Sequence, residues 1–290
     1  ADCGIPRHPD VTNHLRAVAA GVLVVVGFVL FPLGNLGLWV QRQALDSEAF
    51  ASLALDVVDE PAVRDALSKR LVDEIVAAEP RLGVARFVLE PGVSQLLRTD
   101  AFRAVFSSAV GQMHTQLEQG ADELSLNLDP VLPLVRDAVA RIDAGVAERI
   151  PQADVLPAIR VVSRDDVPEL WEGVQITREA SWAFPALVLI ALAGAVAAAN
   201  RRSRMLVTIG IGVALLSFLQ ILVVRLGRGV LSDVTGPNMS LGAFTRGYDV
   251  VIGTFVTQTI VIAVVSLATA GASIAAMRLR RRDVAPAEWA

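Results

Sequence analysis

Four long apolar runs constrain the fold of this chain more than any other feature. They cover approximately Val18–Val40, Ala183–Asn200, Met205–Arg225 and Val250–Met277. Each run is close to or above the roughly 20 residues with which an α-helix crosses a ~30 Å hydrocarbon layer. Backbone N–H and C=O groups must be satisfied within a spanning segment, so we expect four transmembrane helices. Residues 41–182 lie between the first two runs and must fold outside the lipid.

The composition agrees with a membrane protein. Hydrophobic residues make up 53% of the 290 residues, and the mean hydropathy is +0.53, which is too apolar for an ordinary soluble protein. Lys69 is the only lysine among 26 basic residues, a bias that we interpret as a GC-rich, actinobacterial genome. Cys3 is the only cysteine, which excludes an intramolecular disulfide and a cysteine-based metal site.

Arginines predict the topology. They cluster at three places: Arg16 precedes the first run, NRRSR (200–204) joins the second to the third, and RLRRR (278–282) follows the fourth. Cytoplasmic loops are enriched in arginine and lysine near membrane ends, so these three places are expected on the cytoplasmic side. An uncleaved first run is favoured over a signal peptide because its apolar stretch exceeds the usual 7–15 residues.

The predicted protein is therefore a multi-pass protein of the cell membrane with both termini in the cytoplasm. The predicted segments are a cytoplasmic N-terminus (1–16), transmembrane helix 1 (17–40), an extracytoplasmic helical domain (41–182), transmembrane helix 2 (183–200), a cytoplasmic turn (201–204), transmembrane helix 3 (205–225), an outer loop (226–249), transmembrane helix 4 (250–277) and a cytoplasmic tail (278–290).

The extracytoplasmic domain is acidic and has a helical pattern. Residues 41–182 contain 24 acidic and 14 basic residues, which argues against nucleic acid as a ligand of this domain. Helix starts are predicted at Asp46-Ser47, Glu60-Pro61, Thr99-Asp100 and Asp129-Pro130. Apolar positions then recur at helical spacing, and a bundle of five or six helices is predicted.

Four details of that bundle are specific enough to be tested. Pro91-Gly92 is expected to interrupt a short helix that begins at Gly83. The helix after Pro130 is expected to run on with Ile142 and Val146 facing inward. An uninterrupted helix is expected from Glu169 through Trp182 into the second span. The alternating leucines of ELSLNLD (123–129) and the β-branched AIRVVS (158–163) are either two paired strands or ordered loops.

Residues able to carry catalysis are sparse. No phosphate-binding loop, metalloprotease motif or nucleophile elbow occurs in the sequence. His114 is interpreted as a boundary residue with a local hydrogen bond rather than a ligand or general base. Asp122-Glu123 and Asp165-Asp166 could bind a hard cation, but solvated helix ends explain them better. We predict no catalytic, cofactor-binding or metal site, and hence no enzyme.

The spans contain neutral polar residues rather than charges. Asn35, Gln220 and Gln258 lie within the apolar runs, where hydrogen bonds between helices are favoured over a permeation path. Small residues at two places, Gly210 with Gly212 and Ala195 with Ala199, offer faces for close helix contact.

The chain resembles a group of uncharacterised actinobacterial four-span integral membrane proteins. The resemblance lies in FASLALDVVDEPAVRDALSKRLVDEI (50–75), DAFRAVFSSAVGQMHTQL (100–117) and NRRSRMLVTIGIGVALL (200–216). It implies the four-span fold but no activity.

The topology alone is also similar to that of the cell-division and macrolide-exporter ABC permeases. Those proteins resemble this chain in having one span, a large outer domain and three further spans. They carry a longer inner segment between spans two and three, where only NRRSR stands here.

The function predicted from the sequence is non-enzymatic binding or scaffolding through the acidic outer domain. The expected partners are membrane lipid around the spans and an envelope protein or the cell wall at the outer domain, with a homo-oligomer as a further alternative. A permease-like or sensor subunit of a membrane complex is the alternative function.

Overall fold

A computed structural model describes residues 11–126, 130–150, 159–163, 181–232 and 241–282, which are nearly all helical. The chain divides into two compact units. We call Ala1–Val40, Arg178–Leu226 and Phe255–Ala290 the bundle unit. We call Gln41–Thr177 and Gly227–Thr254 the helical domain.

Four helices supply the bundle unit: α1 (Val11–Gln43), α8 (Ala183–Ala198), α9 (Arg202–Ser232) and α10 (Leu241–Arg282). Three of them are long and apolar enough to cross a membrane, over His14–Gln43, Arg202–Gly227 and Thr245–Leu279. The fourth, α8, is apolar but has 16 residues, a length of about 24 Å at 1.5 Å per residue. The protein is therefore a multi-pass membrane protein.

The expected continuous helix through Trp182 is wrong at its described end. Ser181 and Trp182 form a turn, and α8 begins at Ala183. Pro185 explains the break, because a proline inside a continuous helix clashes with the carbonyl four residues earlier, here that of Ser181. In the first turn of a new helix the missing N–H of Pro185 costs nothing. The part of this prediction before residue 181 lies outside the described residues.

Helices extend from both sides into the predicted outer loop 226–249. Helix α9 continues to Ser232 and α10 already begins at Leu241, and residues 233–240 lie outside the described ranges. Hydropathy marks where a segment stops being apolar, but a helix can continue beyond that point. Arginine is a good helix former, so Arg225 and Arg228 end the apolar run without ending the helix.

Glycines allow α1 and α8 to approach closely in opposite directions. A Cβ added at Gly27 would lie 2.5 Å from Leu192 Cδ2, and one at Gly34 would lie 2.9 Å from Val188 Cγ2. Since the partner number falls as the α1 number rises, the two helices are antiparallel. Small residues commonly permit such close packing between membrane helices.

The other two helices continue the alternation of direction. A Cβ at Gly212 of α9 would lie 2.1 Å from the Phe28 ring of α1. The next contact along both helices joins Gln220 to Asn35, so α9 is parallel to α1. Trp39 meets Phe255 edge-on at 6.1 Å between ring centroids, and α10 is antiparallel to α1. The predicted close contacts at Gly210 and Ala195 are present, since a Cβ at Gly210 would lie 2.5 Å from Ser266 O and Ala195 is fully buried.

The helical domain contains the remaining elements. They are α2 (Ser47–Asp59), α3 (Pro61–Ala78), a 3₁₀ turn (Pro80–Ala85), α4 (Arg86–Leu96), α5 (Asp100–Glu118), β1 (Glu123–Leu126), α6 (Val131–Ala140), α7 (Ala144–Ala147) and β2 (Ile159–Ser163). The first turns of α10 also belong to this unit, where a Cβ at Gly247 would lie 3.4 Å from Val57 Cγ1 of α2.

Capping contacts confirm two of the predicted helix starts. The Asp46 carboxylate accepts from Ala49 N at 2.8 Å, and Thr99 Oγ1 accepts from Phe102 N at 3.2 Å. Helix α5 ends in a Schellman motif, in which Gly120 adopts φ +73° and Ala121 N donates to Gln116 O. A positive φ is unfavourable for residues with a Cβ, which explains glycine at this position.

Pro91-Gly92 does not interrupt α4, contrary to the expectation. The helix runs through both residues to Leu96, and Val88, Leu89, Val93 and Leu96 are buried along it. A Cβ at Gly92 would lie 3.1 Å from Val139 Cγ2 of α6, so glycine permits close packing at this point. Burial of this apolar face offsets the hydrogen bond that the proline removes.

The helix after Pro130 is shorter than expected. It ends at Ala140, and Asp143 then caps the separate short helix α7 by accepting from Val146 N at 3.1 Å. The Asx cap competes with continuation of the helix. Ile142 lies at the break and is 50% exposed, so its expected inward orientation is wrong.

The two β-like segments pair as antiparallel strands. Glu123 lies opposite Ser163 and Leu126 opposite Ile159, with a register shift between Leu124 and Ser125. Gln116 of α5 supports this ribbon, since its Oε1 accepts from Ser125 N at 3.1 Å. The prediction of two paired strands is therefore confirmed for Glu123–Leu126 and Ile159–Ser163, and the ordered-loop alternative is wrong there.

The core of the helical domain lies where α2 to α7 meet. Phe102 and Phe106 stack at 5.5 Å between centroids on α5, and Leu82 and Leu89 are fully buried beside the same cluster. Phe102, Phe106 and Val110 follow one another at a spacing of four residues on α5 and are all buried, so they form one face of this helix in the core.

Phe102→Ala is expected to lower the free energy of unfolding by about 3–5 kcal/mol, because the buried ring leaves a cavity. The matched control is Phe87→Ala, since that ring is 77% exposed and its removal should cost less than about 0.5 kcal/mol. Denaturant unfolding of the detergent-solubilised chain, followed by circular dichroism, measures both. Equal stabilities of the two variants would contradict a core at Phe102.

Candidate functional site

Three carboxamide side chains meet in the bundle unit. Asn35 is on α1, Gln220 on α9 and Gln258 on α10, and Asn35 is only 3% exposed. The sequence predicted hydrogen bonds between helices for these three residues. The structure brings all three together, with Thr259 of α10 as a fourth member that the sequence analysis did not single out. We call these four residues the amide cluster.

Asn35 is the centre of the amide cluster. Its Nδ2 donates to Gln220 Oε1 at 3.1 Å and to Thr259 Oγ1 at 2.9 Å. Its Oδ1 accepts from Gln258 Nε2 at 2.9 Å. The Thr259 hydroxyl donates its only hydrogen to Phe255 O at 2.8 Å, so it must accept from Asn35. This requirement fixes the orientation of the Asn35 amide.

The two glutamines also bind the backbone of α1. Gln220 Nε2 donates to Pro32 O at 3.1 Å, and Gln258 Nε2 donates to Asn35 O at 3.0 Å. Each glutamine therefore connects its own helix to the backbone of α1 near Pro32. Hydrogen bonds of this kind between membrane helices contribute about 0.6–2 kcal/mol each.

Ser217 is a further buried polar residue on α9, the helix that carries Gln220. It lies three residues before Gln220 on α9 and is fully buried. Within the described residues its Oγ has no hydrogen-bond partner.

The chemistry of the amide cluster is structural. Its members are neutral, and each observed donor has an observed acceptor. A proton relay or ion path through a membrane generally uses ionisable side chains, and none belongs to this cluster. The arrangement can hold three helices in register, but it cannot carry a proton by changing charge.

His114 is buried rather than at a boundary, which corrects the expectation from sequence. It is 2% exposed, and its Nε2 lies 2.8 Å from Ala44 O. Because a carbonyl can only accept, Nε2 carries the hydrogen. The ring packs against Phe50 at 5.2 Å, and Nδ1 has no partner among the described residues. His114 thus connects α5 to the segment that joins α1 to α2.

Of the two acidic pairs, the structure describes only Asp122-Glu123. Asp122 and Glu123 are exposed at the start of the β ribbon. Asp165-Asp166 lies outside the described residues. In the described part of the chain, no three His, Cys, Asp or Glu side chains come together.

An ion-pair network joins three helices of the helical domain. Asp59, the last residue of α2, accepts from Arg103 of α5 through Oδ2. Its Oδ1 also lies 3.8 Å from Arg64 NH2 of α3. The hydrogen bond and charge of Asp59 raise the pKa of Arg103 above its ordinary value. Sequence analysis missed this network because Asp59 and Arg103 are far apart in the chain.

A cavity at one end of the bundle unit brings Arg16 and the arginines of the α8–α9 turn together. It has a volume of about 660 Å³ and is lined by Arg16 of α1, Arg201–Arg204 and Met277 of α10. The beginning of α1, the α8–α9 turn and the end of α10 therefore lie at the same end of the bundle.

No protein-family model matches the chain, and comparisons with curated proteins and with solved structures found no similar protein. The resemblance to actinobacterial four-span proteins stays a prediction. The proposed function therefore depends on the geometry of the two units.

Asn35→Leu is expected to destabilise the bundle unit, because Gln220 Oε1 and Thr259 Oγ1 lose their donor and Gln258 Nε2 loses one acceptor in a low-dielectric interior. The expected cost is about 2–4 kcal/mol, since several partners lose a bond together. The matched control, Leu36→Ala, alters the adjacent side chain, which is 46% exposed, and should cost little.

Thermal unfolding in detergent measures the two variants. The double variant Asn35→Leu/Leu36→Asn keeps the composition of α1 but moves the amide to the exposed face. It should be as unstable as Asn35→Leu. A parent-like melting temperature for the double variant would mean that hydropathy, and not hydrogen bonding, sets the stability.

Proposed function

We propose that this chain is an integral protein of the cell membrane that binds an envelope partner through its helical domain and catalyses no reaction. Three features support this role: a four-span topology, a structural role for the polar residues of the spans, and an exposed apolar contact on the helical domain.

In the proposed topology, α8 is the fourth span. The antiparallel packing of α8 on α1 supports it, as does the alternation of direction through α9 and α10. At about 24 Å, α8 is short for a ~30 Å layer, but Trp182 at one end is 63% exposed and suits the headgroup region. The arginines at the other end favour the cytoplasmic side, which gives cytoplasmic termini and an extracytoplasmic helical domain.

The proposed role of the spans is structural. The donors of the amide cluster bind acceptors within the cluster and nearby backbone carbonyls, and the cluster contains no ionisable group. This closed network supports a rigid bundle more than a path for a solute. The activity is then expected in the helical domain.

The observation that carries the proposal is the exposed pair Val84 and Phe87. They are 81% and 77% exposed, and they lie one turn apart at the junction of the 3₁₀ turn and α4. Phe87 is the largest exposed apolar side chain of the domain's described residues. Arg81 and Glu90, both exposed, flank the pair. An aromatic anchor with a charged surround is typical of protein-binding hot spots.

The permease alternative is less well supported. Only Ala199, Asn200 and Arg201 stand between α8 and α9. An ATPase on the cytoplasmic side would need a structured segment to receive force, and this connection offers none. A sensor subunit is compatible with the same spans but would need a partner with an output domain.

Single cysteines in a Cys3→Ser background test the topology. Ser108→Cys lies at an exposed position of α5 and should react with an impermeant thiol reagent in intact cells. Asn200→Cys, also exposed, should react only after permeabilisation, because α8 returns the chain to the cytoplasm. Leu189→Cys, on the apolar face of α8, should stay unlabelled in both conditions. Labelling of Asn200→Cys in intact cells would exclude the four-span topology.

A photo-crosslinking residue at Phe87 tests the binding role. We expect one discrete crosslinked envelope protein, which is lost when Val84 is changed to Ser in the same chain. The matched control places the crosslinker at Gln112, an exposed position on α5. Equal products at Phe87 and Gln112 would contradict a binding surface at Phe87. Stoichiometric recovery of an ABC ATPase with the solubilised parent would instead support the permease.

A further inference from the structure

Four arginines surround the cavity at the end of the bundle unit. Arg16, Arg201, Arg202 and Arg204 line it, together with Asn200 and Ser203. Among the described residues, no carboxylate lies within 4 Å of any of these guanidinium groups. The helical domain differs, because its residues Arg64, Arg70, Arg86 and Arg103 each pair with an Asp or Glu.

Unpaired cations collected from distant parts of a chain favour an anionic ligand. Arg16 is separated by more than half the chain from the α8–α9 turn, so only the packing of the bundle brings these charges together. The positive end of the helix dipole of α9, which begins at Arg202, adds to the same potential. Guanidinium groups bind phosphate oxygens in a bidentate manner, and Asn200 and Ser203 can donate further hydrogen bonds.

The position and the apolar wall of the cavity favour a lipid as the source of the phosphate. The cavity lies where the apolar helix α8 ends and the apolar helix α9 begins, which is the headgroup level of a spanning bundle. Ala197, Ala198 and Met277 form its apolar wall. Its volume of about 660 Å³ exceeds the space that a single water or small ion fills.

We propose that this cavity is a binding site for the phosphate headgroup of an anionic phospholipid. Arg201, Arg202 and Arg204 bind the phosphate oxygens, and Arg16 closes the site from α1. The bound lipid connects the start of α1 to the α8–α9 turn. This site is independent of the partner-binding surface at Phe87, and either can fail without the other.

Native mass spectrometry of the full chain in detergent tests the site by titration with defined ligands. The probes are short-chain phosphatidylglycerol, phosphatidylcholine of the same chain length, and inorganic phosphate. Phosphatidylglycerol should bind with saturation at one lipid per chain, and phosphatidylcholine should bind much more weakly. Binding of inorganic phosphate as tight as that of phosphatidylglycerol would overturn the lipid assignment.

Charge-conserving variants separate the cavity from general surface charge. The triple variant Arg201→Lys, Arg202→Lys and Arg204→Lys keeps the charge that directs insertion but loses the bidentate geometry. It should bind phosphatidylglycerol roughly tenfold more weakly, as expected for the loss of about one charge-assisted hydrogen bond.

The matched control is Arg42→Lys, Arg225→Lys and Arg278→Lys, three exposed arginines near the ends of apolar runs that do not line the cavity. It should bind phosphatidylglycerol like the parent. Equal affinities in both triple variants, whether weakened or unchanged, would overturn the proposed site.

Discussion

The side-chain amide of Asn35 is the interaction on which the bundle unit depends. A carboxamide in hydrocarbon has no water to bind, so each of its hydrogens and lone pairs must find a protein partner. Asn35 finds them on α9 and α10 at once, through Gln220, Gln258 and Thr259. Helix packing between apolar faces tolerates sliding and rotation. A fully paired amide does not, because a shift of one residue would leave several polar atoms unpaired. The amide cluster therefore selects one register among many arrangements of similar van der Waals energy.

Small residues make that register attainable. An asparagine side chain is short, so its partners must lie close to the α1 backbone. Gly34 lets α8 approach the same part of α1, and Gly212 lets α9 approach at Phe28. Gly210 does the same between α9 and α10. Without close backbones the amides could not meet, and without the amides nothing would fix the register of the glycine contacts. The two features are consistent with each other and are mutually required.

Charge is arranged differently in the two units. In the helical domain, arginines such as Arg86 and Arg103 pair with nearby carboxylates. In the bundle unit, the arginines of the α8–α9 turn face a shared cavity without carboxylates in the described residues. An arginine that is paired with a carboxylate attracts other anions only weakly. A cluster of arginines without such partners attracts an external anion. This difference in charge is why we propose different ligands for the two units, a protein surface and a phosphate headgroup.

Local physics explains what the sequence determined by itself. Apolar runs gave the long membrane helices, and side-chain caps such as Asp46 and Thr99 gave the helix starts, because both signals act within a few residues. The tertiary structure decided the features that depend on distant neighbours. Pro91 stays inside α4 because burial of that helix outweighs a lost hydrogen bond, and His114 is buried because Ala44 supplies an acceptor. The three amides were visible in the sequence as polar residues in apolar runs. That they share one network was decided only by packing, because helix register is a property of pairs of helices and not of either sequence segment.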